Sequence, residues 1–149
     1  MLYENLTPQV QVDVSFGNEA ERRMEAILKR CFDGEVTKTP PGHAFDFLCT
    51  SNKTNQWIEL KSRRVAKDKY ATTLIGKCKT DHARNLTASG EKVIFCFRFV
   101  DGTVHYINYS AKLFDTFDVK MQARWDRGET IPKPHLLIPT NLLKFMCTM

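Results

Sequence analysis

Asp46, Glu59 and Lys61 fall within one short stretch, His43–Arg64 (HAFDFLCTSNKTNQWIELKSRR), and their types and spacing could do chemistry. Asp46 lies between Phe45 and Phe47, and Glu59 between Ile58 and Leu60. An unpaired carboxylate in such apolar company is costly to bury. Lys61 follows Glu59 by two positions, a spacing that puts both side chains on one face of a strand. Two carboxylates beside one ammonium suit a hard divalent cation. Mg2+ takes oxygen ligands and is commonly held by one or two carboxylates plus phosphate oxygens. A metal-bound water next to a lysine is a route to a nucleophile for phosphodiester hydrolysis. Two plainer readings compete. Each carboxylate could sit on the solvent face of an amphipathic strand, or Glu59 and Lys61 could form an ion pair worth about 1 kcal/mol or less if exposed.

The elements that must position these residues can be read on either side. Two apolar runs, Ala44–Cys49 and Trp57–Leu60, flank a polar turn-prone loop (residues 50–55), the pattern of a β-hairpin. Upstream, Pro40-Pro41-Gly42 imposes an extended segment and a turn, and residues 35–39 read as a short strand. Val10, Val12 and Val14 alternate, suggesting an edge strand or extended arm. Gly17-Asn18 then opens a helix with Asn18 as its cap and Glu19 and Glu21 in its first turn. Ala20, Met24, Ile27, Leu28 and Cys31 give that helix an apolar stripe, and Gly34 ends it.

Downstream, residues 62–80 read as a basic linker carrying Arg63, Arg64, Lys67, Lys69, Lys77 and Lys79 against Asp68 alone. With an acidic site adjacent, these cations are candidates for tracking phosphates. His43, three residues before Asp46, is a candidate for contacting the scissile phosphate, and His82 a weaker one. A helix is expected from about Thr80 to Ser89 with Thr80 as cap. A strong strand follows over Lys92–Val100, then a two-residue type I′ hairpin at Asp101-Gly102 and a strand over Thr103–Tyr109. Leu113, Phe117, Met121 and Trp125 recur every four residues, predicting a helix over 110–127, with a helical turn capped by Thr140 near the end. The order of elements indicates an α/β layer structure with a mixed sheet. It lacks the regular alternation and glycine fingerprint of a dinucleotide fold.

The chain has 149 residues, enough for one domain with a real core, and carries a net charge of +5 with pI ≈ 9.0, which favours a polyanionic partner. Five cysteines without a C-x-x-C pair and no signal peptide point to a reducing compartment such as the cytoplasm, not to secretion. The longest apolar run, Val93–Phe97, is too short to span a bilayer, so no membrane partner is expected.

The spacing Asp46…Glu59-Leu60-Lys61 resembles the D…(D/E)-x-K signature of the PD-(D/E)XK nuclease superfamily. Gly17, Ala20-Glu21-Arg22, Gly42 and Ile58-Glu59-Leu60-Lys61 extend the similarity to the archaeal Holliday junction resolvases of that superfamily. It covers about residues 17–109; Phe45 stands where the signature has proline. The resemblance implies a restriction-endonuclease-like core with a mixed central sheet flanked by helices, followed by a helical C-terminal extension over about 110–149. It further implies that Asp46 and Glu59 ligate Mg2+, with Mn2+ as a substitute, that Glu21 completes the metal site with Glu19 and Glu25 as rivals, and that Lys61 assists the attacking water. A homodimer cutting branched DNA is expected on the same grounds. Phe117, Trp125, Leu142 and Phe145 would supply a dimer surface or complete the core, the core being favoured. The rivals are a restriction-like or repair nuclease on linear DNA and a non-catalytic DNA-binding protein on a nuclease fold.

Overall fold

The computed structural model of the protein describes residues 8–124 and 128–149. Helix α1 (Pro8–Cys31) begins nine residues earlier than the Gly17-Asn18 start expected from sequence. Pro8 occupies the first helical position, where its missing N–H is no loss. Val14, Gly17, Ala20, Met24, Ile27 and Leu28 continue one stripe at spacings of three and four, which outweighs a three-valine alternation too short to define a strand.

Strands β1 (Glu35–Lys38), β2 (Phe47–Thr50) and β3 (Asn55–Ser62) form an antiparallel meander, with Phe47 opposite Ile58. The expected hairpin is therefore β2–β3. The expected basic linker contains a further strand, β4 (Thr72–Gly76), and α2 (Lys77–Ala88) starts directly after it. Thr80 is not the cap. Gly76 takes that position, and the Thr80 side chain is buried with its hydroxyl donating to the Lys77 carbonyl at 2.8 Å. Strand β5 (Lys92–Arg98) then runs parallel to β3, with Glu59 opposite Phe95 and Lys61 opposite Phe97. Strand β6 (Thr103–Asn108) returns antiparallel. Their hairpin is not type I′, since neither Val100 nor Asp101 has positive φ. Instead Gly102, at φ 85°, follows a turn closed by its own N–H donating to the Phe99 carbonyl at 2.9 Å.

The C-terminal segment differs most from expectation. The helical period of Leu113, Phe117 and Met121 yields only α3 (Ala111–Phe114), after which the chain forms β7 (Val119–Gln122), β8 (Lys133–Pro139), a 3₁₀ turn (Thr140–Leu142) and β9 (Lys144–Thr148). Pairing of β7 and β8, with Val119 opposite Leu136, overrides the local period. Trp125 lies outside the described residues. The extension is thus mostly strand, and it is woven into the body. β9 closes one edge of a six-stranded sheet ordered β1-β2-β3-β5-β6-β9, and β8 sits between β4 and β7 in a second sheet.

Three layers result. Ala20 and Met24 of α1 cover one face of the large sheet, packing on Phe47, Cys49, Ile58, Leu60, Cys96 and Val104. Ala83 of α2, together with Ile75, Leu136 and Ile138 of the small sheet, covers the other through Phe45, Val93, Phe95 and Phe97. Burial of each phenylalanine contributes about 1.5–3 kcal/mol, and the parallel pair β3–β5 lies at the centre of the large sheet with both faces covered. That is where the candidate site stands.

Candidate active site

Backbone bonds hold Asp46 at the mouth of the hairpin from both sides. Its N–H donates to the Ile58 carbonyl and its carbonyl accepts from Thr39 N, both at 2.9 Å. Its side-chain Oδ2 accepts from Leu60 N at 2.7 Å. This last bond ties the carboxylate of one strand to the backbone between Glu59 and Lys61 on the next.

Glu59 is only 2% exposed, in the buried run Ile58-Glu59-Leu60, which rules out the solvent-face reading. Its Oε2 accepts no aligned hydrogen bond. Two ammoniums approach that oxygen: Lys61 Nζ at 3.5 Å, as the strand alternation requires, and Lys79 Nζ of α2 at 2.8 Å. Lys79 also donates to the Ala44 carbonyl. In sequence Lys79 belongs with the basic run of residues 62–80, twenty positions from its partner Glu59 in the fold. No local signal links the two, because only the fold of α2 back across β3 brings them together.

Glu21 lies on the face of α1 nearest this site. Lys38 of β1 pairs with its Oε2 at 3.0 Å. Burial pushes the Glu21 carboxyl above its ordinary range, and the nearby Asp46 carboxylate adds to the shift. Glu19 and Glu25 instead pair along the helix with Arg23 and Lys29, at 2.7 and 2.9 Å. Asp46 titrates at about 6, raised first by burial and then by Glu59, against the opposing Leu60 N–H bond. Glu21, Asp46 and Glu59 are thus electrostatically linked in series. Among the described residues, however, no group of three His, Cys, Asp or Glu side chains is already arranged to hold a metal ion. Two carboxylates, one with a buried oxygen lacking an aligned donor, still fit an ion that takes its remaining ligands from water and phosphate.

The remaining basic candidates divide by direction. Arg63 points inward, its Nε 3.0 Å from the Thr73 hydroxyl, its Nη2 donating to the Leu74 carbonyl and its guanidinium 5.6 Å from the Phe97 ring. Burial first and the nearby Arg124 second lower it to about 10, against the opposing pull of Glu59. It fastens β3 to β4. Arg64 and Lys69 are exposed and Lys67 is half-buried on the segment between those strands, while Lys77 pairs with Asp81 at 2.9 Å. His43 stacks on Trp57, ring centroids 5.0 Å apart and 8° from parallel, and its Nδ1 accepts from Phe45 N at 3.1 Å. Together with Lys79, His82 and Asn85 these two rings line a cleft of about 560 Å³, which Lys79 links to Glu59.

No curated protein matches the chain. Among solved structures it is similar to the Holliday junction resolvase Hjc of Archaeoglobus fulgidus, at TM-score 0.55 and 10% identity over 85% of each chain, a likeness of fold. The model of the family described as phage putative PDDEXK endonuclease matches residues 9–144, which take in α1, the hairpin, α2 and most of the strand-rich C-terminal segment. By that match the chain belongs to the PDDEXK endonuclease family.

Proposed function

We propose that the protein is a Mg2+-dependent endonuclease that hydrolyses DNA phosphodiester bonds and prefers branched DNA, with Mn2+ able to replace Mg2+. The observation that carries this reading is the carboxylate pair at the hairpin: Asp46, just before β2 and bonded to Leu60 N, and the buried Glu59 of β3, beside Lys61. Asp46 and Glu59 would hold the ion, with Glu21 completing the set. The bound ion would supply Lewis-acid charge and lower the pKa of a coordinated water. Lys61, on the same face as Glu59, orients the attacking water and stabilises negative charge growing on the phosphate. The central position of β3, paired on both sides by β2 and β5, supports this reading. His43 faces the scissile phosphate, and Arg64, Lys67 and Lys69, assisted by Lys77, neutralise flanking ones.

The preference for branched DNA rests on the fold likeness to a resolvase, as does the homodimer that symmetric cutting of two strands requires. The whole chain would act as one nuclease domain. Incubating the protein with a four-way junction, linear duplex and single-stranded DNA, in Mg2+ and in EDTA, tests both parts. Cleavage of the junction in Mg2+ alone is expected. Equal cutting of linear duplex would remove the branched-DNA part, and no cleavage of any substrate would remove the nuclease reading.

A further inference from the structure

The ammonium nearest the buried Glu59 oxygen belongs to α2, not to the strand motif. Lys79 Nζ stands 2.8 Å from Oε2, against 3.5 Å for Lys61, and Lys79 is 24% exposed in its side chain. It lies between two environments. On one side is Glu59. On the other is the cleft, largely apolar in its walls, to which His43, His82 and Asn85 bring groups able to donate to a phosphate. A divalent cation on Glu59 and the Lys79 ammonium would compete for the same oxygen, since both are cations seeking one buried anion.

We propose that Lys79 is the resident counter-ion of Glu59: a divalent cation displaces its ammonium, which then turns into the adjoining cleft to take a DNA phosphate oxygen. This rests on the metal-dependent reading above and extends it. Lys79 is here a positioning residue for the ion and a phosphate contact for the substrate. Metal binding and DNA binding would therefore be coupled through one side chain, each favouring the state that the other needs.

The full-length protein titrated calorimetrically with Mg2+ alone tests this without any cleavage. Lys79→Gln removes the charge but keeps an N–H able to reach the Ala44 carbonyl. It should bind Mg2+ about fivefold more tightly or better, because the competing state is gone. Lys112→Gln, an exposed charge on α3, should leave Mg2+ affinity unchanged and controls for net charge. With Ca2+ replacing Mg2+ to suppress cutting, metal should strengthen junction binding by the wild type more than by Lys79→Gln. If Lys79→Gln melts cooperatively yet binds Mg2+ no tighter than wild type, the proposal is overturned. If that variant does not melt cooperatively, Lys79→Met is titrated under the same criterion. Wild type that binds no Mg2+ would instead overturn the metal-dependent reading itself.

Discussion

Asp46 is the residue whose environment makes the sharpest claim about pH. Its carboxyl titrates at about 6 in the fold against 3.8 ordinarily, so between those values the folded state holds a proton that the unfolded chain has lost. Stability therefore falls as pH rises through that window, because a raised carboxylate pKa disfavours the charged form. In EDTA the wild type should lose thermal stability from pH 5 to pH 7 relative to Asp46→Asn, with melting temperatures of the pair as the measure. Parallel curves for the two proteins would contradict it. Mg2+ affinity should run the opposite way, rising with pH over the same interval as the proton leaves. Arg63 and Lys69 make a second contrast. Arg63→Ala should cost about 2 kcal/mol in urea unfolding through its lost bonds to β4. Lys69→Ala, exposed at the surface, should leave stability alone and lower the salt slope of DNA binding by about one.

At the scale of elements, α1 and the hairpin must keep a fixed relation for Glu21 to lie near Asp46. Gly34 ends the connection between them at φ 152°, and a Cβ there would meet the Thr50 carbonyl oxygen at 2.3 Å. Gly34→Ala should cost about 1–3 kcal/mol, measured by urea unfolding, and unchanged stability would show that the loop can give. The hairpin itself was legible because its evidence is local: alternation, a polar turn, and acids in apolar runs. The start of α1 was not, since three alternating valines read as strand while the helical stripe through Val14 and Ala20 only emerges over a longer window. Leu113, Phe117 and Met121 misled in the opposite sense. Their four-residue spacing suits a helix, but Met121 pairs with Pro134 across β7–β8, a contact no local window contains. The Lys79–Glu59 contact was hidden for the same reason. Where chemistry lay within one supersecondary unit it could be read; where it depended on tertiary return, it could not.

For the whole molecule, the second sheet and β9 show how a minimal nuclease core is closed by its own C-terminal strands. Phe117 packs on Phe114 at the core, ring centroids 5.0 Å apart, as the core reading expects. Phe145 of β9 is instead 61% exposed on the edge of the large sheet, so it does not complete the core. Should the proposed homodimer use that edge, Phe145→Lys would shift the mass observed by light scattering from dimer to monomer; an unchanged dimer would place the contact elsewhere. In the proposed function, Asp46, Glu59 and Lys61 form one metal-dependent hydrolytic centre. The most direct test is the single-turnover cleavage rate of a four-way junction at saturating Mg2+, for wild type and Glu59→Gln with their folded state checked by cooperative melting. A fall of at least about a hundredfold is expected, since even outer-shell partners of a metal are worth about 10–100-fold. A folded Glu59→Gln protein that cleaves at the wild-type rate would contradict it.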